Sequence, residues 1–156
     1  MKIAVLVDIQ NIYYTTRDAF GKQFNYRALW HALSQQGDIV IAKAYAIDRG
    51  DKQQEKFQSA LKHIGFDLRL KPFIQRSDGS AKGDWDVGIT IDALDAASQV
   101  DCLVLLSGDG DFALLLAAIK QKYACHTVVY GVPQLSAVAL VNSCDSFINI
   151  DETLLQ

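Results

Sequence analysis

Residues 103–112 read Leu-Val-Leu-Leu-Ser-Gly-Asp-Gly-Asp-Phe, an apolar run that stops abruptly at Ser107, two glycines and the pair Asp109 and Asp111. The chain opens the same way, with Ile3-Ala4-Val5-Leu6-Val7 followed by Asp8-Ile9-Gln10-Asn11. Carboxylates placed at the ends of two buried strands repel one another and are costly to desolvate. A hard divalent cation with oxygen ligands relieves that cost, so the chemistry this pattern suggests is cation binding.

The elements that must position these acids follow from hydrophobic periodicity. Strands are expected at 3–7, 39–47, 66–70, 101–106 and 126–130, with a sixth at 147–150. Between them, helices are expected at 11–19, 25–35, 51–63, 84–98, from Phe112 onward, and 133–141. Asn25 reads as an N-cap, and Gly37 and Gly65 as stops. Residues 71–83 read as the longest loop, rich in Gly and Ser. Strands alternating with helices define an α/β fold with a mainly parallel sheet covered on both faces. In such a sheet, ligands bind beyond the carboxyl ends of the strands at a switch point. If the strand at 3–7 lies beside the strand at 101–106, Asp8 and Asp109 meet there.

Each acid also has an ordinary explanation. Asp8 or Asn11 could simply cap a helix, and Asp84, Asp86, Asp109 and Asp111 could stabilise the first turns of the helices that follow them. Capping needs one small polar residue per helix, however, not paired acids on three segments. Competing site types are poorly matched. No Gly-x-Gly-x-x-Gly follows the first strand, and Gln10 stands where a haloacid-dehalogenase phosphatase needs its second aspartate. An EF-hand would require a glutamate where Lys120 stands. A receiver-like phosphoacceptor needs an aspartate after the third strand, where Lys71-Pro72 occurs, and a lysine after the fifth, which ends at Gly131.

The 156 residues are expected to form a single domain, 1–156. No run of 18 apolar residues is present, so no membrane span is expected, and neither is a signal peptide. Cys102, Cys125 and Cys144 form no Cys-x-x-Cys and read as buried thiols of a cytoplasmic protein. The net charge of −3 is unevenly spread. Residues 43–82 carry nine Lys and Arg against five acids, while the rest of the chain is acidic. That modest basic segment suits single-stranded nucleic acid better than a long duplex, which demands a broad positive surface.

The ordered elements Asp8-x-x-Asn11, then Lys82-Gly83-x-x-Asp86-Val87 leading into a helix with Asp92, then Ser107-Gly108-Asp109-Gly110-Asp111-Phe112 resemble the NYN domain. More narrowly they resemble its LabA-like bacterial branch, relatives of the PIN-like nucleases. The resemblance spans nearly the whole chain. It implies a three-layer PIN-like fold with strand order 3-2-1-4-5, and a metal-dependent ribonuclease acting on single-stranded RNA. In that reading Asp8, Asp86 and Asp109 ligate one or two Mg²⁺ or Mn²⁺ ions, with Asp111 as a further ligand or water-orienting acid. Asn11, Arg76, Lys82, Trp85 and Ser107 form the substrate-binding set: Asn11 to orient a ligand or phosphate oxygen, Lys82 to pair with a phosphate, Trp85 to stack a base. The commoner family spacing is Lys-Gly-x-Asp, so Asp84 and Asp86 compete for the ligand position; Asp86 keeps Val87 and Asp92 in register. A non-catalytic RNA-binding or regulatory module that retains the metal site is the alternative. A homodimer is left open.

Overall fold

The computed structural model describes residues 1–72, 74–75, 81–82 and 84–156, with 74–75 and 81–82 described by their backbone course alone. The chain runs β1 (Lys2–Asp8), α1 (Ile9–Phe20), α2 (Tyr26–Ser34), β2 (Asp38–Asp48), α3 (Lys52–Ile64), β3 (Asp67–Pro72), β4 (Ile74–Gln75), β5 (Ala81–Lys82), α4 (Asp86–Ala97), β6 (Cys102–Leu106), α5 (Ala113–Lys122), β7 (His126–Gly131), α6 (Val138–Ser143) and β8 (Ser146–Asn149). Short 3-10 turns lie at Gly110–Phe112, Pro133–Leu135 and Glu152–Leu154.

Six strands make one parallel sheet in the order β3-β2-β1-β6-β7-β8. Counting the main strands alone, this is 3-2-1-4-5-6: the expected order, extended by β8 at the edge. The apolar runs of β1 and β6 are continuous because both faces of these central strands are covered. Ile3, Val5, Val7, Val104 and Leu106 join one core with Ile12 of α1, Leu29 of α2 and Leu61 of α3. Ala4, Leu6, Leu103 and Leu105 point the other way, against Ile89 of α4, Leu116 and Ile119 of α5, and Leu140 of α6. Full burial of each large apolar side chain contributes about 1.5–3 kcal/mol, so the two central strands are the most firmly held part of the fold. They are also the strands that end at the acids. Pairing of Val7 with Leu106 brings Asp8 level with Ser107.

Three sequence expectations need correction. The segment read as a loop from 71 to 83 carries regular structure, since β3 continues through Pro72 and β4 pairs antiparallel with β5. Strands of two residues show no alternation for a sequence pattern to reveal. The helix expected over 133–141 is two pieces, a 3-10 turn and α6, because Ala137 is held extended with its N–H donating to the Gly108 carbonyl at 3.0 Å. Cys102 and Cys125 are buried thiols as expected, but Cys144 is only half-buried. Among the described residues, no helix is long and apolar enough to cross a membrane.

Candidate active site

Asp8 ends β1 and caps α1, so the helix-capping explanation and the functional one apply to the same side chain. One carboxylate oxygen accepts the Asn11 backbone N–H at 3.4 Å, and the other accepts the Ser107 hydroxyl at 3.1 Å. Ser107 Oγ in turn accepts the Asp109 backbone N–H at 3.1 Å. Asn11 Oδ1 accepts the Gly108 N–H at 2.8 Å, tying the first turn of α1 to the loop after β6. Asp109 caps the following 3-10 turn by accepting the Asp111 N–H at 2.9 Å. Thus the Gly108, Asp109 and Asp111 N–H groups are each fixed by a side chain, and the two acidic strand ends form one hydrogen-bonded unit.

The glycines of this motif have a steric reason. A Cβ at position 108 would stand 2.8 Å from the Leu135 carbonyl oxygen and 3.1 Å from Ser136 Oγ. A Cβ at position 110 would stand 2.9 Å from the Ala137 methyl group. The segment 133–137 lies directly against the acidic loop, leaving no room for side chains there.

The third segment comes from the start of α4. Carboxylate oxygens of Asp86, Asp109 and Asp111 all lie within 4.8 Å of one another. Asp8 lies next to this group. Burial pushes its carboxyl from the ordinary 3.8 up to about 6, with the charges of Asp109 and Asp84 adding to the shift. Asp86 is pushed up to about 7, first by desolvation, then by the charge of Asp109, a hydrogen bond with it, and the charges of Asp84 and Asp8. A crowd of mutually repelling carboxylates with neither His nor Cys among them is an oxygen-donor set, which could hold a hard cation.

The substrate-binding set does not all reach this cleft as expected. Ser107 is fully buried, and its hydroxyl is used in both directions by Asp8 and Asp109. In this position it holds the acids in place and exposes no surface of its own. Trp85 is fastened in the fold. Its indole N–H donates to the Ala46 carbonyl at 2.8 Å, its ring lies 5.4 Å from that of Tyr45, and the Lys71 ammonium sits 4.3 Å above it. Its expected stacking role therefore competes with packing. Arg76 lies outside the described residues, and for Lys82 only the backbone, paired with Ile74, is described.

One residue near the cleft was not singled out by sequence reasoning. Lys71 donates to the Asp84 carbonyl at 3.1 Å and so places a cation beside the acids. Asp84 accepts the Asp86 N–H at 3.2 Å, and its charge bears on both Asp8 and Asp86, making it a fifth carboxylate of the site. Asp84 is the residue that competes with Asp86 for the ligand position in the sequence, where Asp-x-Asp occurs at both 84–86 and 109–111. Asp92, in contrast, is engaged elsewhere, accepting the Tyr45 hydroxyl at 2.7 Å and sitting 3.6 Å from the Lys43 ammonium.

An open parallel α/β sheet with an aspartate cluster at the carboxyl ends of its two central strands is the arrangement of the PIN-like nuclease class. The NYN domain profile matches residues 2–151, and the chain belongs to the NYN domain family. It is LabA-like: it is 27% identical over 159 residues to the low amplitude and bright protein LabA of Synechococcus elongatus, covering 97% of this chain and 84% of that protein. It is also 50% identical to a Vibrio parahaemolyticus protein of unknown function whose crystal structure superposes with a TM-score of 0.94, over 99% of this chain and 96% of that one.

Proposed function

We propose that the chain is a metal-dependent ribonuclease that hydrolyses phosphodiester bonds of single-stranded RNA in the cytoplasm. The observation that carries this reading is the approach of the Asp86, Asp109 and Asp111 carboxylates to within 4.8 Å, with Asp8 alongside. Asp8, Asp86 and Asp109 would hold one or two Mg²⁺ or Mn²⁺ ions, and Asp111 is either a further ligand or the acid that orients water. Held by these carboxylates, such an ion would supply Lewis-acid chemistry, activating water and offsetting charge that develops on the phosphate.

The remaining work falls to the chain itself. Ser107 holds the Asp8 carboxylate and the Asp109 backbone in fixed relation, so the ligands are preorganised. Asn11 locks the loop against α1 through Gly108 and stands in the first turn of that helix, where its amide can orient a phosphate oxygen. Asp111 is the exposed member of the cluster and the one placed to accept a proton from an entering water. Lys71, and Lys82 by the resemblance, supply positive charge for phosphate.

Cleavage of an unstructured RNA oligonucleotide with Mn²⁺ tests the proposal. Wild type should cleave, and Asp109→Asn should lose at least about a hundredfold in rate, because the ligand set is broken while the side-chain shape is kept. RNA that is bound but never cleaved under any divalent cation would favour the non-catalytic RNA-binding reading instead.

A further inference from the structure

Helix α1 leaves the acidic cleft carrying an aromatic cluster that the site chemistry above does not use. Ile9, Ile12 and Thr16 face the core, so the helix is fixed in rotation. Gln10, Tyr13, Tyr14 and Arg17 fall on the other side at spacings of three and four, which makes one continuous stripe. The stripe begins in the same turn as Asn11, whose side chain binds the acidic loop, and extends roughly 10 Å from there at 1.5 Å per residue. Tyr13 is 51% exposed although it is a large ring. Its ring lies edge-on to Tyr14 at 5.4 Å. The Arg17 guanidinium carbon stands 4.9 Å from the Tyr14 ring centre and 5.5 Å from that of Tyr13, and its far side is paired with Asp18 at 3.1 Å. The two tyrosines are therefore held in place by neighbours on their own helix rather than by burial.

We propose that Tyr13, supported by Tyr14 and Arg17, is a stacking platform for a nucleobase of single-stranded RNA whose backbone enters the acidic cleft. This rests on the RNA-hydrolase reading of that cleft and assigns it a subsite. An exposed ring held rigid by a neighbouring ring and a guanidinium loses little freedom on stacking, and a base offers the flat apolar face that matches it. The exposed Arg17 guanidinium, paired with Asp18, can exchange that partner for the adjoining phosphate. The base is read by stacking alone, so the platform should tolerate any sequence.

Two assays on the whole protein separate this subsite from the cleft. Binding of a fluorescent 12-nucleotide RNA is measured by anisotropy with Ca²⁺ present, and hydrolysis of bis(p-nitrophenyl) phosphate, a diester without bases, is measured with Mn²⁺. Tyr13→Ala should weaken RNA binding by about tenfold, Tyr13→Phe should bind like wild type, and both should hydrolyse the base-free diester at the wild-type rate. Arg17→Gln should lower the slope of log affinity against log salt by about 0.7. Equal RNA binding by wild type and Tyr13→Ala overturns the platform, whatever happens to the diester. A fall in RNA binding with no diester hydrolysis by any form keeps the platform and removes the hydrolase reading. No RNA binding by wild type removes both. Tyr13 is exposed, so Tyr13→Ala should melt within a few degrees of wild type, and matched melting curves keep a folding defect from being mistaken for lost stacking.

Discussion

The burial of Asp8 and Asp86, with the crowding of carboxylates around them, should make the metal-free protein less stable as pH rises toward neutrality, opposite to the behaviour of ordinary salt-bridged acids. Asp8 titrates at about 6 in the fold against 3.8 when unfolded, and Asp86 at about 7. Between these values the folded state holds more protons than the unfolded state, so unfolding free energy decreases with pH. The decrease begins near pH 4, continues through about 7, and then levels off, because above that point both states are ionised. Asp8 is well buried, and its shift corresponds to about 3 kcal/mol. Asp86 is more exposed, and water screening reduces its part to about 1 kcal/mol. Together this is a large share of the roughly 5–15 kcal/mol that holds a domain folded. The lowered carboxyl of Asp145, which accepts the Thr127 N–H, acts in the opposite sense but only below about pH 4, outside this window. Guanidinium unfolding in EDTA at several values between pH 4.5 and 7.5 measures the effect. Millimolar Mn²⁺ should restore stability at pH 7.5, and Asp86→Asn should flatten the curve in EDTA. Stability that is constant or rises across this range would show that neither burial nor neighbouring charge disfavours the ionised carboxylates in the fold, and the reasoning would fail.

Two further outcomes follow from the same geometry. Ser107→Ala removes the hydroxyl that serves Asp8 and Asp109, so it should cost about 1–3 kcal/mol in urea unfolding and reduce cleavage; unchanged stability would place the hydroxyl outside this network. Single strands should be cleaved faster than duplex DNA, since the net basic charge is confined to the modest segment 43–82, and single-stranded RNA faster than single-stranded DNA by the family resemblance; fastest cleavage of duplex DNA would reject the substrate class and leave the acidic cluster standing.

The sequence was informative where chemistry coincided with local pattern. The runs 3–7 and 103–106 are apolar on successive residues because both faces are covered, and their ends are marked by aspartates, so the meeting of Asp8 with Asp109 follows from strand order alone. The choice of Asp86 over Asp84 for the cluster rested on register; the carboxylates of Asp86, Asp109 and Asp111 lie within 4.8 Å of one another, and Asp84 accepts the Asp86 N–H beside them. What was not legible depends on contacts between distant segments. Nothing local to Ser107 shows that its hydroxyl turns inward to Asp8, 99 residues earlier. Nothing local to Lys71 places it over Trp85, or Trp85 on the carbonyl of Ala46. The pairing of β4 with β5 and the splitting of the segment after Pro133 were hidden for the same reason, since a two-residue ladder and a single bond from Ala137 to Gly108 leave no periodic trace.

The claim on which the rest depends is that Asp8, Asp86, Asp109 and Asp111 are cation ligands. Crystals of the protein soaked in Mn²⁺ and measured at a wavelength where manganese scatters anomalously test it directly. The account predicts an anomalous peak among the Asp86, Asp109 and Asp111 carboxylates, within coordinating reach of Asp8, that is absent from crystals of Asp86→Asn. No peak there at millimolar Mn²⁺ and neutral pH, or a peak that persists undiminished in Asp86→Asn, would contradict it.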